Sequence, residues 1–296
     1  MVGKDHKQNS ATKHVTGKTT YIDDLPYTVD ECFVAPVLSE KPHAKIKSIN
    51  YTNALAVEGV IGKCDMNDVP GSNEIMQMWQ DEHCNKVFYT DNVTSTGQVI
   101  AVIVGKDKKA AQKGASLVKV EYEVIEPVIL TISDAIKHDT WIKPNFEISN
   151  GDIDKGFAEA DHIMKGVVKI GGQEHFYFEP QCCRVTPVDN TKEIVVQSSS
   201  QWLSYIQKNC AKALGIRDHK VHSTTKRLGG AFGGKETDAT WPAAITAVAA
   251  VKYNRPMRMV LERDEDMAAT GTRHPSQFHY KVGFNKDGNI ISYKCM

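Results

Sequence analysis

Hydrophobic and polar positions along the chain predict a mixture of strands and helices. The run from Gln98 to Val104 is almost continuously apolar, which is typical of a strand buried on both faces. From Lys106 to Val118, small and apolar residues recur at helical spacing, with charged residues on the opposite face. The stretch from Val118 to Val124 alternates as a half-buried strand does. Together these three elements predict a βαβ-like unit.

The second half of the chain continues this mixture. A helix that Ser200 caps and Gly215 ends carries its apolar residues on one face. The apolar run from Thr240 to Val251 predicts a buried helix, and Gly288 supplies the hairpin turn between the last two strands. Short helices are predicted at 132–137 and 154–160, and further strands at 31–39, 44–50, 162–170, 176–187, 193–199, 220–225, 256–262, 278–284 and 290–294.

These elements predict an α+β fold in two successive parts. Residues 1–13 are polar and are expected to form a disordered tail, followed by an α+β domain at 14–127. Residues 128–150 form a connector with a breaker around Pro144, and a second α+β region fills 151–296. The chain ends within a strand that has no following partner, so the second domain is expected to be the first part of a longer one.

Composition limits the classes of partner. The chain has 296 residues, 41% hydrophobic and 24% charged, with 36 basic and 36 acidic side chains. Zero net charge gives no support for nucleic acid or an anionic membrane as a partner. No apolar run reaches membrane-spanning length, and the polar N-terminus is not a signal peptide. A soluble, cytoplasmic protein is expected.

The number and spacing of the cysteines argue against metal clusters and disulfides. Seven are present, an odd number, and none form a Cys-x-x-Cys pair, which argues against an iron–sulfur cluster, a zinc ribbon or a secreted disulfide framework. The adjacent Cys182 and Cys183 are expected to pack on opposite faces of a strand.

A glycine-rich loop at 227–236 is the strongest candidate for a binding site. It connects a predicted strand to the buried helix, so its backbone N–H groups are free to face an anion or a close ligand. Glu236 follows Lys235 where a P-loop needs Ser or Thr, and the Gly-x-Gly-x-x-Gly spacing is absent. A tight turn in which Glu236 only favours the helix N-terminus remains the alternative, and a phosphate binder is a third interpretation.

Other polar groups are weaker candidates. Gln201 stands at a strand-to-helix junction, where its amide can donate to a bound oxygen. His175 lies among carboxylates in the stretch 171–179, which is either acid–base or metal chemistry or a buried polar network, and the network is favoured. The charge run 263–266 is expected to be a solvated turn or a helix cap.

Three motifs in order resemble the molybdenum hydroxylase family, namely the xanthine dehydrogenases and aldehyde oxidases. They are GGQEHFYFE at 171–179, RLGGAFGGKE at 227–236 and LERDEDMAATGTRHP at 261–275. In the first part of the chain, GKTTYIDDLP at 17–26, HAKIKS at 43–48 and DVPG at 68–71 resemble the α/β hammerhead domain of that family. The resemblance covers nearly all residues after 13 and implies a hammerhead domain followed by the first part of a molybdopterin-binding domain.

The resemblance also implies a cofactor and roles for particular residues. The implied cofactor is molybdopterin, or its cytosine dinucleotide, carrying molybdenum, with Gln201 contacting its oxo group and Phe232 and Gly233 lying against the metal centre. Glu236 matches the glutamate that orients a purine in xanthine dehydrogenases, whereas Ala231 matches the aldehyde oxidase loop. Purines, aldehydes or N-heterocycles are therefore the implied substrates, and the full-length family is expected to form homodimers.

The chain departs from the family pattern in several ways. Pro242 stands where the family has a helix former, and it is tolerated only if it falls in the first turn of the helix. The family's glutamate base lies beyond Met296, so no catalytic residue is assigned in this chain. No sites for 2Fe–2S clusters or FAD are expected here. A truncated, non-catalytic binding or dimerisation module of the same fold is the alternative.

Overall fold

The computed structural model describes residues 2–75, 85–141, 146–190 and 193–296. Its helices are α1 (Ala11–Val15), α2 (Thr52–Leu55), α3 (Lys108–Ala115), α4 (Ile132–Lys137), α5 (Ile153–Glu159), α6 (Leu203–Leu214), α7 (Thr240–Tyr253) and α8 (Arg263–Ala269). Its strands are β1 (Cys32–Leu38), β2 (Ala44–Asn50), β3 (Val60–Cys64), β4 (Glu74–Ile75), β5 (Asn85–Lys86), β6 (Asn92–Val93), β7 (Val99–Gly105), β8 (Lys119–Val124), β9 (His162–Ile170), β10 (Cys182–Val188), β11 (Glu193–Ser198), β12 (Val221–Thr224), β13 (Met257–Val260), β14 (Ser276–Phe284) and β15 (Ile290–Cys295). The predicted breaker around Pro144 lies outside the described residues.

Residue contacts divide the chain into two units. The first unit combines Met1–Glu126 with His175–Gly271, and the second combines Pro127–Glu174 with Thr272–Met296. Helices and strands are mixed in both, so the predicted α+β class is confirmed. Helix α1 begins at Ala11, inside the segment predicted as a disordered tail, so the last residues of that tail are helical.

A seven-stranded sheet organises the first unit, in the order β12-β11-β10-β13-β1-β7-β3. Its centre joins distant parts of the chain, because β1 runs parallel to β13 with Cys32 opposite Met257. Every residue of β7 is buried, as the apolar run predicts. Cys182 and Cys183 are buried free thiols at the start of β10, which confirms their packing role.

Helix α7 packs against this sheet and forms much of the core. Its residues from Thr240 to Ala250 are all buried, as expected for a helix that is apolar on every side. Pro242 is the third residue of the helix, in the first turn, where a backbone N–H has no intrahelical acceptor. The proline is therefore accommodated without a kink. Among the helices of the described residues, none combines the length and the apolarity needed to cross a bilayer.

The predicted βαβ-like unit is wrong in its pairing. Strand β7 lies in the seven-stranded sheet, whereas β8 belongs to a three-stranded sheet of order β6-β2-β8. Helix α3 does lie between them, and Asp107 caps it by accepting a hydrogen bond from the backbone N–H of Ala110 (2.8 Å). Alternating polarity predicts a strand but not its partner, because β8 pairs with β2 from earlier in the chain.

The second unit contains an antiparallel sheet of order β15-β14-β9, with helix α5 packed on it. Asp152 caps α5 by accepting from the N–H of Lys155 (2.9 Å). The predicted hairpin between β14 and β15 is confirmed, and Gly288 has the positive φ of +84° that its turn requires.

Two predicted boundaries are wrong near the glycine loop. Ser200 does not cap α6, whose N-cap is Trp202; the Ser200 hydroxyl instead accepts from the N–H of Trp202 (3.1 Å) and donates to the carbonyl of Lys235 (3.3 Å). The strand predicted at 176–187 begins only at Cys182. Phe176 has a φ of +47°, which is incompatible with extended backbone. Gly215 ends α6 in the left-handed conformation, as predicted.

A buried ion pair ties the N-terminal segment to the sheet. Arg258 of β13 is fully buried, and its Nε donates to the carboxylate of Glu31. Its other nitrogens donate to the carbonyls of Asp23 (3.0 Å) and Leu25 (2.8 Å). Burial alone would raise the pKa of Glu31, but hydrogen bonds from Arg258 and Thr28 outweigh burial and hold this pKa below its usual 4.5.

Glu31→Gln should destabilise the first unit by about 3 kcal/mol or more, because it leaves the buried Arg258 charge without its counter-ion. The native carboxyl has a lowered pKa, so its contribution is present above about pH 4.5 and is lost as the pH falls through the folded pKa. Urea unfolding at several pH values measures both effects.

In that experiment the Glu31→Gln variant should lose part of the acid dependence of the wild type. Glu193→Gln is the matched control, since it removes a partly exposed ion pair with Lys220 from the same sheet and should change the midpoint much less. Equal losses in the two variants would contradict a special role for the buried pair.

Candidate functional site

The glycine loop has an unusual backbone between β12 and α7. Gly230 and Gly233 have φ values of +98° and +96°, which glycine adopts without strain. Phe232 lies between them with a φ of +55°, a conformation that side-chain-bearing residues rarely adopt, and the residue is 75% exposed. A strained residue with an exposed aromatic ring is a feature of binding sites rather than of packing.

The structure brings Gln201 against this loop. The side-chain oxygen of Gln201 accepts hydrogen bonds from the N–H groups of Gly233 (3.2 Å) and Lys235 (3.3 Å). The backbone N–H of Gln201 in turn donates to the carbonyl of Lys235 (2.8 Å). Two N–H donors can face only the oxygen of an amide, so this contact determines which way the amide is turned.

Hydrogen-bond donors of Gln201 and Phe232 face away from the contact between Gln201 and the glycine loop. In the described ranges, no residue accepts a hydrogen bond from the Gln201 NH₂ group or from the backbone N–H of Phe232. Gly233 leaves open space, since a Cβ atom built there would meet only His175 Nε2, at 4.0 Å. Hydrogen-bond donors around a gap without a side chain are suited to a ligand that carries acceptor oxygens.

The Glu179 carboxylate binds both ends of the glycine loop. Glu179 Oε2 accepts from the N–H of Gly229 (2.8 Å), from the hydroxyl of Ser199 (2.7 Å) and from Lys235 Nζ (3.2 Å). The backbone N–H of Glu179 also donates to the carbonyl of Gly229 (3.1 Å). Both ends of the loop are thus bound to the same residue.

Lys235 is fully buried although it belongs to the loop. Its ammonium donates to the Ser199 hydroxyl (2.7 Å) and lies 4.6 Å from the centre of the Tyr177 ring. Burial lowers the pKa of Lys235 below its usual value, and the Glu179 carboxylate opposes that effect. The predicted polar network is therefore confirmed only at Tyr177 and Glu179, which contact the glycine loop rather than fix a strand, whereas Gln173 is exposed.

A second buried carboxylate supports the same loop. Asp266 of α8 accepts from the Tyr177 hydroxyl (2.7 Å) and from the backbone N–H of Gln181, whose side chain donates to the carbonyl of Gly234 (2.8 Å). Burial and Asp266 together raise the pKa of Tyr177.

The prediction that the charge run 263–266 is only solvated is wrong for Asp266, which is fully buried. Glu265 of this run does take part in the predicted helix cap, because its carboxylate accepts a hydrogen bond from the backbone N–H of Glu262, the N-cap residue of α8 (2.8 Å).

Glu236 occupies a different environment from Lys235. Its side chain is exposed, and none of the described residues forms an ion pair or a hydrogen bond with its carboxylate. Helix α7 begins only at Thr240 with Ala239 as its N-cap, so Glu236 precedes the first turn, where a helix dipole acts. The geometry leaves this carboxylate available to a ligand.

His175 lies beneath the loop rather than in a metal site. It is partly buried and stacks on Tyr177, with ring centres 6.4 Å apart. The described part of the chain contains no group of three or more His, Cys, Asp or Glu side chains that could hold a metal ion. A metal bound directly by His175 and its neighbouring carboxylates, the alternative weighed from sequence, is not supported.

The sequence analysis did not assign supporting roles to Glu179, Ser199 or Asp266. The available signal was the density of polar residues in 171–179 beside buried strands. That signal indicates a network but not which group its members bind.

Comparison with known families assigns both parts of the chain. Residues 16–126 match the profile of the "Aldehyde oxidase and xanthine dehydrogenase, a/b hammerhead domain". Residues 137–296 match the profile of the "Molybdopterin cofactor-binding domain". These are the two domains that the sequence motifs indicate.

Individual relatives include both subfamilies. The chain is 41% identical to a xanthine dehydrogenase of Emericella nidulans over 293 residues, covering 99% of this chain and 21% of that protein. It is 40% identical to aldehyde oxidase 2 of Cavia porcellus over 289 residues, covering 98% of this chain and 21% of that protein. The chain thus spans about a fifth of the length of the curated relatives it matches.

Solved structures share the fold. Quinoline 2-oxidoreductase from Pseudomonas putida 86 aligns with a TM-score of 0.87 at 21% identity, covering 99% of this chain and 38% of that one. The aldehyde oxidoreductase from Desulfovibrio desulfuricans aligns with a TM-score of 0.85 at 21% identity, covering 97% of this chain and 33% of that one.

Gly234→Ala should displace the loop. An added Cβ would lie 2.7 Å from His175 Cγ and 2.8 Å from Tyr177 Cε1, so a ring must move. We expect a loss of about 1–3 kcal/mol in unfolding free energy, and faster amide exchange in the loop. Gly271→Ala is the control, because its Cβ would make only an ordinary 3.6 Å contact with Asp238. An equal change in both variants would show that the loop is not tightly packed.

Proposed function

The chain belongs to the molybdopterin-binding family of aldehyde oxidases and xanthine dehydrogenases, and from this premise we propose that it forms one wall of a molybdenum hydroxylase site. The observation that carries the proposal is the outward-facing donor pair of Gln201 and Phe232. When bound, the cofactor would supply a molybdenum redox centre for hydroxylating an electron-poor carbon. Donors without acceptors suit the oxygen atoms on such a centre.

Each residue of the wall has a distinct task. The Gln201 NH₂ group and the Phe232 N–H would donate hydrogen bonds to the cofactor. Gly233 allows the approach because nothing lies within 4 Å of its side-chain position other than a His175 nitrogen at that limit. The exposed ring of Phe232 offers an apolar surface to a flat substrate.

Glu236 favours a purine as the substrate. A carboxylate only accepts hydrogen bonds, and a purine ring presents N–H donors that an aldehyde lacks. The exposed carboxylate of Glu236, without a protein partner in the described ranges, suits this role. Ala231 matches the aldehyde oxidase loop instead, and relatives of both kinds are nearly equally similar, at 41% and 40% identity. The purine assignment therefore depends on Glu236.

The domain boundaries and the compartment are part of the same proposal. We place the hammerhead domain at 14–127, a connector at 128–150 and the molybdopterin-binding domain at 151–296. The matched profile at 16–126 supports the first of these bounds, whereas the second profile begins at 137 and so includes part of the proposed connector. Buried free thiols, such as Cys64 and Cys210, suit the reducing cytoplasm.

The full-length protein should purify with molybdenum and pterin. Gln201→Glu should lower the molybdenum retained by about tenfold or more, because it keeps the oxygen that binds the loop and removes the outward donor. Gln8→Glu makes the same charge change in an exposed position and should have no effect. Metal analysis by mass spectrometry measures the molybdenum. Full retention in Gln201→Glu would contradict the role of Gln201.

Glu236→Val should reduce kcat/KM for a purine by about 10–100-fold and that for an aldehyde by much less, because only the purine loses a hydrogen-bonded partner. Steady-state kinetics on both substrates measure the ratio. Glu121→Val, an exposed glutamate on β8, is the control and should leave both rates unchanged. Equal losses for purine and aldehyde would show that Glu236 acts structurally.

A further inference from the structure

Lys235 has a side chain with very little freedom. It is fully buried, and its ammonium contacts the Ser199 hydroxyl at 2.7 Å, Glu179 Oε2 at 3.2 Å and the face of the Tyr177 ring at 4.6 Å. A buried ammonium is strongly destabilised unless such partners surround it. The side chain is therefore anchored in one place.

The backbone of Lys235 holds Gln201 at two points. The carbonyl of Lys235 accepts from the N–H of Gln201 at 2.8 Å, and the N–H of Lys235 donates to the Gln201 side-chain oxygen at 3.3 Å. The hydroxyl of Ser200 donates to the same carbonyl at 3.3 Å. A residue anchored through its side chain thus fixes the neighbouring amide through its main chain.

The direction of the Gln201 amide depends on this contact. Gln201 is an exposed residue, and within the described ranges its oxygen accepts hydrogen bonds only from Gly233 and Lys235. If these two N–H groups moved away, nothing would prevent the amide from turning over. An amide oxygen would then face the ligand where the NH₂ group now stands, and it would repel an oxygen acceptor.

We infer that Lys235 is a positioning residue that holds the Gln201 amide with its donor group outward. This inference rests on the proposed function, because an outward NH₂ group matters only if the bound cofactor accepts a hydrogen bond from it. Glu179 takes part in the same positioning, because its carboxylate joins the Lys235 ammonium to the N–H of Gly229 at the opposite end of the loop. Lys235 itself touches neither substrate nor cofactor.

The first experiment compares Lys235→Met with Lys226→Met, an exposed lysine just before the loop. Hydrogen exchange of the 296-residue chain without cofactor should show faster exchange at the amides of Gly233 and residue 235, by about tenfold or more, in Lys235→Met only. Unchanged exchange at these two amides would overturn the inference.

A second pair of variants separates positioning from stability. Glu179→Gln with Lys235→Met removes both buried charges, so the double variant should be more stable than Lys235→Met alone. If Lys235 positions the loop, the double variant regains stability and still exchanges rapidly at Gly233. Slow exchange in the double variant would overturn the inference. Ser199→Ala removes one hydrogen-bond partner of the Lys235 ammonium and should raise the exchange rate at Gly233 by a smaller factor. This variant replaces the other two in the experiment if neither of them folds.

Kinetics of the loaded full-length protein provide an independent measurement. Lys235→Met should lower kcat for purine and aldehyde alike with little change in KM, because Gln201 faces the cofactor rather than the substrate. A selective rise in KM for purine would contradict the inference. If the wild-type protein carries no molybdenum, the proposed function is refuted while the exchange result still stands, so the two failures are distinguishable.

Discussion

The hydrogen bonds to one carboxylate oxygen hold the site together. Glu179 Oε2 accepts hydrogen bonds from the N–H of Gly229, the Ser199 hydroxyl and the Lys235 ammonium, so it joins both ends of the glycine loop to the residue that follows β11. The loop makes no regular secondary structure of its own between these ends. The Glu179 carboxylate fixes both ends of the loop, and turn hydrogen bonds from the N–H of Gly234 to the carbonyl of Ala231 (2.8 Å) and from the N–H of Glu236 to the carbonyl of Gly233 (3.3 Å) act between them.

This constraint explains how the loop maintains a strained residue. The left-handed backbone of Phe232 is unfavourable by roughly 1–3 kcal/mol, and it persists only where the surroundings over-determine it. The ion pair and the Asp266 network provide that support from two sides, the second through Gln181 and the carbonyl of Gly234. The buried charges thus keep a donor-lined surface in place that would otherwise collapse.

Local patterns predicted the elements that frame the site. The apolar run gave the bounds of α7 to within two residues at its C-terminal end, and Gly215 and Gly288 marked real backbone reversals, because these signals depend on a few neighbouring residues. Pairings between distant segments could not be predicted in this way. The β1–β13 pair and the Glu179–Lys235 pair each join residues far apart in sequence, and no periodicity encodes such a partner. The Asp266 carboxylate shows the same limit, since a charge run looks solvated until a helix buries one face of it.

The most direct measurement is a crystal structure of the full-length protein with its cofactor. The account predicts that the cofactor lies against this loop and accepts hydrogen bonds from the Gln201 NH₂ group and the Phe232 N–H, with Glu179 still joined to Gly229 and Lys235. A molybdenum centre remote from this loop, or a Gln201 amide turned with its oxygen outward, would contradict it.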